Sequence, residues 1–226
     1  MFRDRRDAGR RLAELVVPYA AQRPLVIGLA RGGMPVAAEV ARQLHAELDT
    51  LVVRKIGLPW QPELGVGAIA EGDVTVSNAA LLESLGLSDR DLAGVIAAER
   101  RELERRVQRY RGDRKPADVA GRLVILVDDG LATGSTARAA IDALRRRGAR
   151  RVVLAVPVAP PDTIRELEGV ADEVLALESP EWFAAIGEAY DDFGQTSDAE
   201  VAAILEDART QDAATSPDVD SGQRPA

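Results

Sequence analysis

The chain has 226 residues, a hydrophobic fraction of 46 % and 37 acidic against 29 basic side chains, for a formal net charge of −8. Apolar residues recur along nearly its whole length, so a sizeable core is available and wholesale disorder is excluded. The negative balance speaks against a nucleic-acid backbone as main partner, since phosphate binding needs a net-positive face. Cysteine is absent and His45 is the single histidine, which excludes disulfides, thiolate chemistry and any metal site needing two histidines. Aromatics make up 4 %, too few to tile a stacking surface. Met1 to Asp7 is charged and leads into no secretory apolar core. No apolar run approaches the roughly 18 residues that span a bilayer, so a soluble cytoplasmic protein with no membrane partner is expected.

Residues 4–21 read as an amphipathic helix with Leu12, Leu15, Val16 and Tyr19 on one stripe. Leu25 to Ala30 is a strand-length apolar run. Arg31-Gly32-Gly33 then turns into a helix over 35–46. Leu51 to Val53 predicts a short second strand. Ile56 to Gly67 holds Gly57, Pro59, Pro62, Gly65 and Gly67, and predicts a long flexible loop. Short strands are expected at Val66 to Ala70 and Val74 to Val76. Helices follow over 78–86 and 88–111, the second with Ser88 as N-cap and Asp89 and Asp91 in its first turn. Leu92, Ile96, Leu103, Val107 and Tyr110 form its apolar face, and Glu102 and Arg106 are spaced to pair.

After a polar connection over 112–121, strands at Leu123 to Val127, 152–156 and 174–177 alternate with helices over 135–147 and 160–168. A last helix over 198–208 has Ser197 available as its cap, and the chain from Thr210 onward reads as a disordered tail. The expected organisation is one domain over 1–209, with a helical insert at 78–111, a small hood drawn in part from 157–200, and a tail over 210–226. Short strand–helix alternation is the pattern of an α/β fold, a parallel sheet flanked by helices. Ligands on such sheets sit beyond the carboxyl ends of the strands, so the loops after the strands are where chemistry is sought.

The loop after Leu123 to Val127 reads Asp128-Asp129-Gly130-Leu131-Ala132-Thr133-Gly134-Ser135-Thr136. Two adjacent carboxylates end a buried strand, and a small-residue loop opens straight into a helix. Thr133 to Thr136 offer backbone N–H groups and three hydroxyls at a helix N-terminus, which suits a phosphate. The acids cannot serve the same phosphate, but they can accept hydrogen bonds from neighbouring sugar hydroxyls. Together they imply a ribose 5-phosphate site. A merely capped helix would use one acid or one hydroxyl and leave the others idle.

This stretch resembles the phosphoribosyl pyrophosphate (PRPP) signature of type I phosphoribosyltransferases. The resemblance implies the Rossmann-like fold of that family. It also implies that Asp128 and Asp129 bind the ribose 2- and 3-hydroxyls and that Ala132, Thr133, Gly134, Ser135 and Thr136 bind the 5-phosphate. Ala30-Arg31-Gly32-Gly33 resembles the family's pyrophosphate loop, where a non-proline cis peptide at Ala30–Arg31 would fit. Arg54 and Lys55, with the Gly/Pro-rich stretch after them, resemble the catalytic loop that shields PRPP from water. Solvated strand-end charges are an equally good reading of those two cations.

Residues 179–193 hold four of the chain's eight aromatics and resemble a purine-enzyme hood. By that resemblance Trp182 or Phe183 stacks on the base and Asp191 or Asp192 approaches the metal. A small aromatic core is the plainer alternative. His45 reads as structural, and Trp60 as packed in its loop.

The resemblance implies a Mg2+-dependent enzyme, a homodimer, that transfers 5-phosphoribosyl from PRPP to a nitrogenous base, a purine by preference, and releases pyrophosphate. Magnesium would be held mostly through PRPP oxygens. The alternative is a PRPP-sensing regulatory protein without turnover. A dinucleotide-dependent oxidoreductase fits badly, because the first strand leads to Arg-Gly-Gly and not Gly-x-Gly-x-x-Gly.

Overall fold

A computed structural model describes residues 1–215 apart from Pro59, Asp73, Asp89, Phe183 and Ala184. In chain order it contains α1 (Arg5–Val16), a 3-10 turn (Val17–Gln22), β1 (Leu25–Ala30), α2 (Gly33–Leu44), β2 (Leu48–Leu58), β3 (Gln61–Ala70), β4 (Val74–Ser77), α3 (Ala79–Ser84) and α4 (Ala93–Arg111). Then come β5 (Leu123–Val127), α5 (Ser135–Arg146), β6 (Arg151–Val158), α6 (Pro161–Leu167), β7 (Glu173–Glu178), a second 3-10 turn (Ile186–Ala189) and α7 (Asp198–Thr215). No helix among the described residues is long and apolar enough to cross a membrane.

The strands form one sheet in the order β4-β3-β2-β1-β5-β6-β7. β2, β1, β5, β6 and β7 are parallel, while β3 and β4 join antiparallel at one end. Period-two alternation sorts the side chains into two cores. Ile125 and Val127 face α1, α2, α4 and α7, whereas Val124 and Leu126 face α5 and α6. The chain runs from β1 to β2 on one side and places β5 on the other. The crevice between β1 and β5 is therefore the topological switch point, where ligands of open α/β sheets bind.

Several expectations are corrected. The loop predicted at Ile56 to Gly67 is a β-hairpin: β2 runs on to Leu58 and β3 begins at Gln61, with irregular register at Ile56, Gly57 and Leu58. The glycines serve close strand contact here, not chain freedom. A Cβ on Gly67 would stand 2.5 Å from the Val76 carbonyl oxygen. Trp60 near the hairpin tip is 65 % exposed and packs on little.

The first helix tightens to 3-10 geometry after Val16, and Leu15 is exposed while Leu12 and Val16 are buried. Ser88 does not cap α4. Its hydroxyl donates to Asp91 Oδ2 at 2.7 Å in the preceding turn, and the helix starts at Ala93. Thr210 to Thr215 continue α7, so that part of the expected tail is helical, and residues 216–226 lie outside the described residues. Within the segment expected as a helical insert, α4 and its N-cap Leu92 bury Leu92, Leu103 and Tyr110 in the core shared with β2 and α7.

Candidate active site

β5 delivers Asp128 and Asp129 to the switch point, where the Asp129 N–H donates to Asp128 Oδ1 at 2.9 Å. The turn after β1 packs directly on them. A Cβ on Gly32 would lie 2.1 Å from Asp129 Oδ2, and one on Gly33 would lie 2.6 Å from the Val127 carbonyl oxygen. Only glycine permits that approach. The Ala30–Arg31 peptide is cis, as the resemblance implied.

On the other side Gly134 takes φ +68 and turns the chain into α5. The Thr163 hydroxyl pins this loop by donating to the Ala132 carbonyl at 2.7 Å. Thr133 and Ser135 hydroxyls stand 3.3 Å apart. Among the described residues no side chain caps α5, so its N-terminal amides are left without a side-chain acceptor, as an anion-binding helix start would have them. The structure thus brings together the acidic pair, the loop at 30–33 and the loop at 132–136.

Electrostatics divide the acidic pair. Burial and the neighbouring Asp129 charge push the half-buried Asp128 well above the ordinary carboxylate range. Asp129 is also pushed up by burial, but the Arg5 guanidinium pulls it back. Arg5 Nε donates to Asp129 Oδ2 at 2.7 Å. The Tyr190 hydroxyl donates to the Asp129 carbonyl at 2.5 Å. Burial keeps that phenol protonated.

Of the three expected cations, Arg31 and Arg54 pair with acids of this chain. Arg31 Nη1 lies 3.7 Å from Asp198 Oδ1, an acid that also accepts from the Tyr110 hydroxyl at 2.8 Å and Arg105 at 3.1 Å. Arg54 forks onto Glu99 of α4, at 2.7 Å from Nε and 2.6 Å from Nη2. Lys55 sits in the hairpin beside Gly65, where an added Cβ would meet its Cε at 2.7 Å. Both Arg54 and Lys55 lie on strand β2, not on a free loop.

The hood residues fare less well. Trp182 is 92 % exposed and Phe183 lies outside the described residues. Asp191 and Asp192 are exposed, and their N–H groups donate to the Phe2 and Arg3 carbonyls at 2.8 and 2.9 Å. Asp192 Oδ1 accepts from the Gly194 N–H at 3.0 Å. Among the described residues no group of three or more His, Cys, Asp or Glu side chains could hold a metal. Tyr190 shares a small buried core with Phe2, ring centroids 5.5 Å apart, and stacks at 5.0 Å on the exposed Phe193. His45 adopts φ +48 as the C-cap of α2.

Sequence reasoning missed Arg5 and Tyr190. No local pattern marks Arg5, because it meets Asp129 across 124 positions of chain.

A doubly wound sheet with an acidic pair and a glycine-lined helix start at its switch point belongs to the ligand-binding α/β proteins. The family to which this chain belongs is the phosphoribosyl transferase domain, whose model matches residues 4–193. In Mycobacterium tuberculosis, "Putative phosphoribosyl transferase Rv0571c" is 48 % identical over 209 residues, covering 91 % of this chain and 46 % of that protein. The chain thus spans about half the length of the curated relatives it matches. The crystal structure of TT1426 from Thermus thermophilus is 44 % identical, with a TM-score of 0.77 over 92 % of this chain and 98 % of that one. The uracil phosphoribosyltransferase of Staphylococcus saprophyticus is 29 % identical over 153 residues, 63 % of this chain and 68 % of that enzyme.

Proposed function

We propose that this chain transfers the 5-phosphoribosyl group of PRPP to a nitrogenous acceptor and releases pyrophosphate. The supporting observation is the meeting, in one crevice, of a carboxylate pair, a glycine turn pressed against it and an uncapped helix N-terminus. In this reading the α5 amides between Thr133 and Thr136 hold the 5-phosphate. Asp128 and Asp129 accept hydrogen bonds from the ribose hydroxyls. Backbone at Gly32 and Gly33 lies along the pyrophosphate. The C1–O bond to pyrophosphate breaks, the bond from C1 to the acceptor nitrogen forms, and that nitrogen loses its proton. No protein nucleophile is needed. The work is positional and electrostatic, which suits a chain without cysteine and with one distant histidine.

Mg2+ would supply neutralising charge on the leaving pyrophosphate. PRPP oxygens would supply most of its ligands, with Asp128 and Asp129 the carboxylates of the crevice nearest to hand. Purines come first among the acceptors to assay, and uracil joins them because relatives bear the name uracil phosphoribosyltransferase.

The second reading is a PRPP sensor without turnover. It gains support from Arg31 and Arg54, both paired to acids of this chain. Calorimetric titration of PRPP with and without Mg2+, followed by a pyrophosphate-release assay across a base panel, tests both. Transfer predicts release with at least one base. It also predicts at least tenfold weaker PRPP binding in an Asp128→Asn, Asp129→Asn double variant whose fold is intact, on the order of one or two charge-assisted hydrogen bonds. Binding without release for any base favours the sensor, and no binding overturns both.

A further inference from the structure

Two neighbouring buried carboxylates repel each other, and a crevice that must keep both as acceptors needs a cation beside them. The described structure supplies one from a distant helix. Arg5, the first residue of α1, is fixed on three sides. Nε donates to Asp129 Oδ2 at 2.7 Å, Nη1 donates to the Gly194 carbonyl at 2.6 Å, and the guanidinium lies 3.9 Å from the Phe193 ring centroid. Phe193 stacks on Tyr190, whose hydroxyl holds the Asp129 backbone. Side-chain exposure is 11 % for Arg5 and 10 % for Asp129, so neither ion is compensated by bulk water.

A surface ion pair would be a poor argument for function. This one is buried, its arginine is held by two hydrogen bonds and an aromatic ring, and its carboxylate is the one against which Gly32 leaves no room for a Cβ. Arg5 also lines a cavity of about 270 Å³ with Asp4, Pro35, Asp192 and Thr196. Arg5 meets the crevice itself through its bond to Asp129.

We infer that Arg5 is a positioning residue: it fixes the Asp129 carboxylate by Oδ2 and leaves Oδ1 to accept from a ribose hydroxyl. The inference rests on the transferase reading of the crevice. It concerns how the diol is recognised, a task that no local motif assigns to the N-terminal helix. The groups facing Asp129 are Arg5 from α1, Asp128 from its own turn and Tyr190 from the segment before α7. Of these only Arg5 is cationic. Lysine cannot replace it, because one ammonium does not bridge a carboxylate and a carbonyl in the plane of a guanidinium fork.

The test is discrimination between ribose 5-phosphate and its 2,3-dideoxy analogue, measured by competition against PRPP binding. The variants are Arg5→Gln, Arg5→Lys, Asp129→Asn and the Arg5→Gln, Asp129→Asn pair, each checked for wild-type circular dichroism. Wild type should prefer the ribose sugar, and Arg5→Gln should lower that preference about tenfold, the scale of one charge-assisted hydrogen bond. Arg5→Lys should recover little of it. The double variant should discriminate no worse than Asp129→Asn alone, since both changes break one device. A purely structural role would weaken both sugars equally and leave the preference intact. That outcome in Arg5→Gln, or in Arg5→Lys should the glutamine variant misfold, overturns the inference. Wild type that binds neither sugar nor PRPP overturns the transferase reading itself, and the role of Arg5 falls with it. Wild type that discriminates while the Arg5 variants do so equally well overturns Arg5 alone.

Discussion

Asp128 meets two opposing demands. Function asks for a carboxylate in a crevice beside a second one, and stability asks for no such thing. Burial and the Asp129 charge raise its titration above that of an unfolded aspartate. The folded state therefore binds the extra proton, and stability falls as pH climbs from about 4 through the raised value. Asn at this position carries no charge to bury. Asp128→Asn should therefore unfold at a higher denaturant concentration than wild type at about pH 8, with the gain gone at about pH 4 and below. Urea melts at the two pH values check it. An equal gain at both would place the benefit in packing, not in charge. The same substitution should weaken PRPP binding, so the site holds its acid at the expense of the fold.

At the scale of elements, β1, β5 and α5 were legible to within a residue or two, because each carries its own period and its own turn residues. The acidic pair and the helix start were legible for the same reason: they are one continuous stretch. The hairpin was not. Gly65 and Gly67 look like loop signals in one sequence, yet in the sheet they allow a neighbouring strand or side chain to come close. α7 was read short because its last two turns are polar and lack a periodic apolar face.

Arg54 was expected at a strand end and lies within β2, and its partner was not legible, since Glu99 comes 45 positions later. That pair carries a prediction. If pyrophosphate draws Arg54 away from Glu99, PRPP binding includes the cost of breaking a half-buried ion pair. Glu99→Gln should then tighten PRPP about threefold to tenfold, at a cost to stability of roughly 1 kcal/mol or less. Calorimetry on the variant decides it. Unchanged affinity would make Arg54 a structural tie between β2 and α4.

At the scale of the whole molecule, one buried cation joins three parts that lie far apart in sequence. Arg111 ends α4 and is 5 % exposed. It donates to Asp49 on β2 at 3.0 Å, to Glu71 after β3, and to the Thr50 carbonyl. Asp49 also accepts from Ala117 N–H in the connection to β5 at 2.8 Å, and Glu71 from Val52 N–H at 2.7 Å. The insert helix, the hairpin and the approach to β5 thus hang on a single guanidinium, at the end of β2 remote from the crevice. Such a cluster adds little net stability compared with an apolar core, yet losing one partner is expensive because the remaining charges stay buried. Arg111→Met strands two acids and should cost about 3–5 kcal/mol, a large share of the stability of a domain this size. Asp49→Asn in the same chain should return part of that loss, because it removes one stranded charge while keeping an acceptor for Ala117. Crevice residues stay untouched by both changes, so PRPP affinity measured on the folded fraction should change little. A loss of affinity beyond the loss of folded protein would mean that the clamp also sets the distance between β2 and the crevice. Recovery of stability without recovery of affinity would say the same.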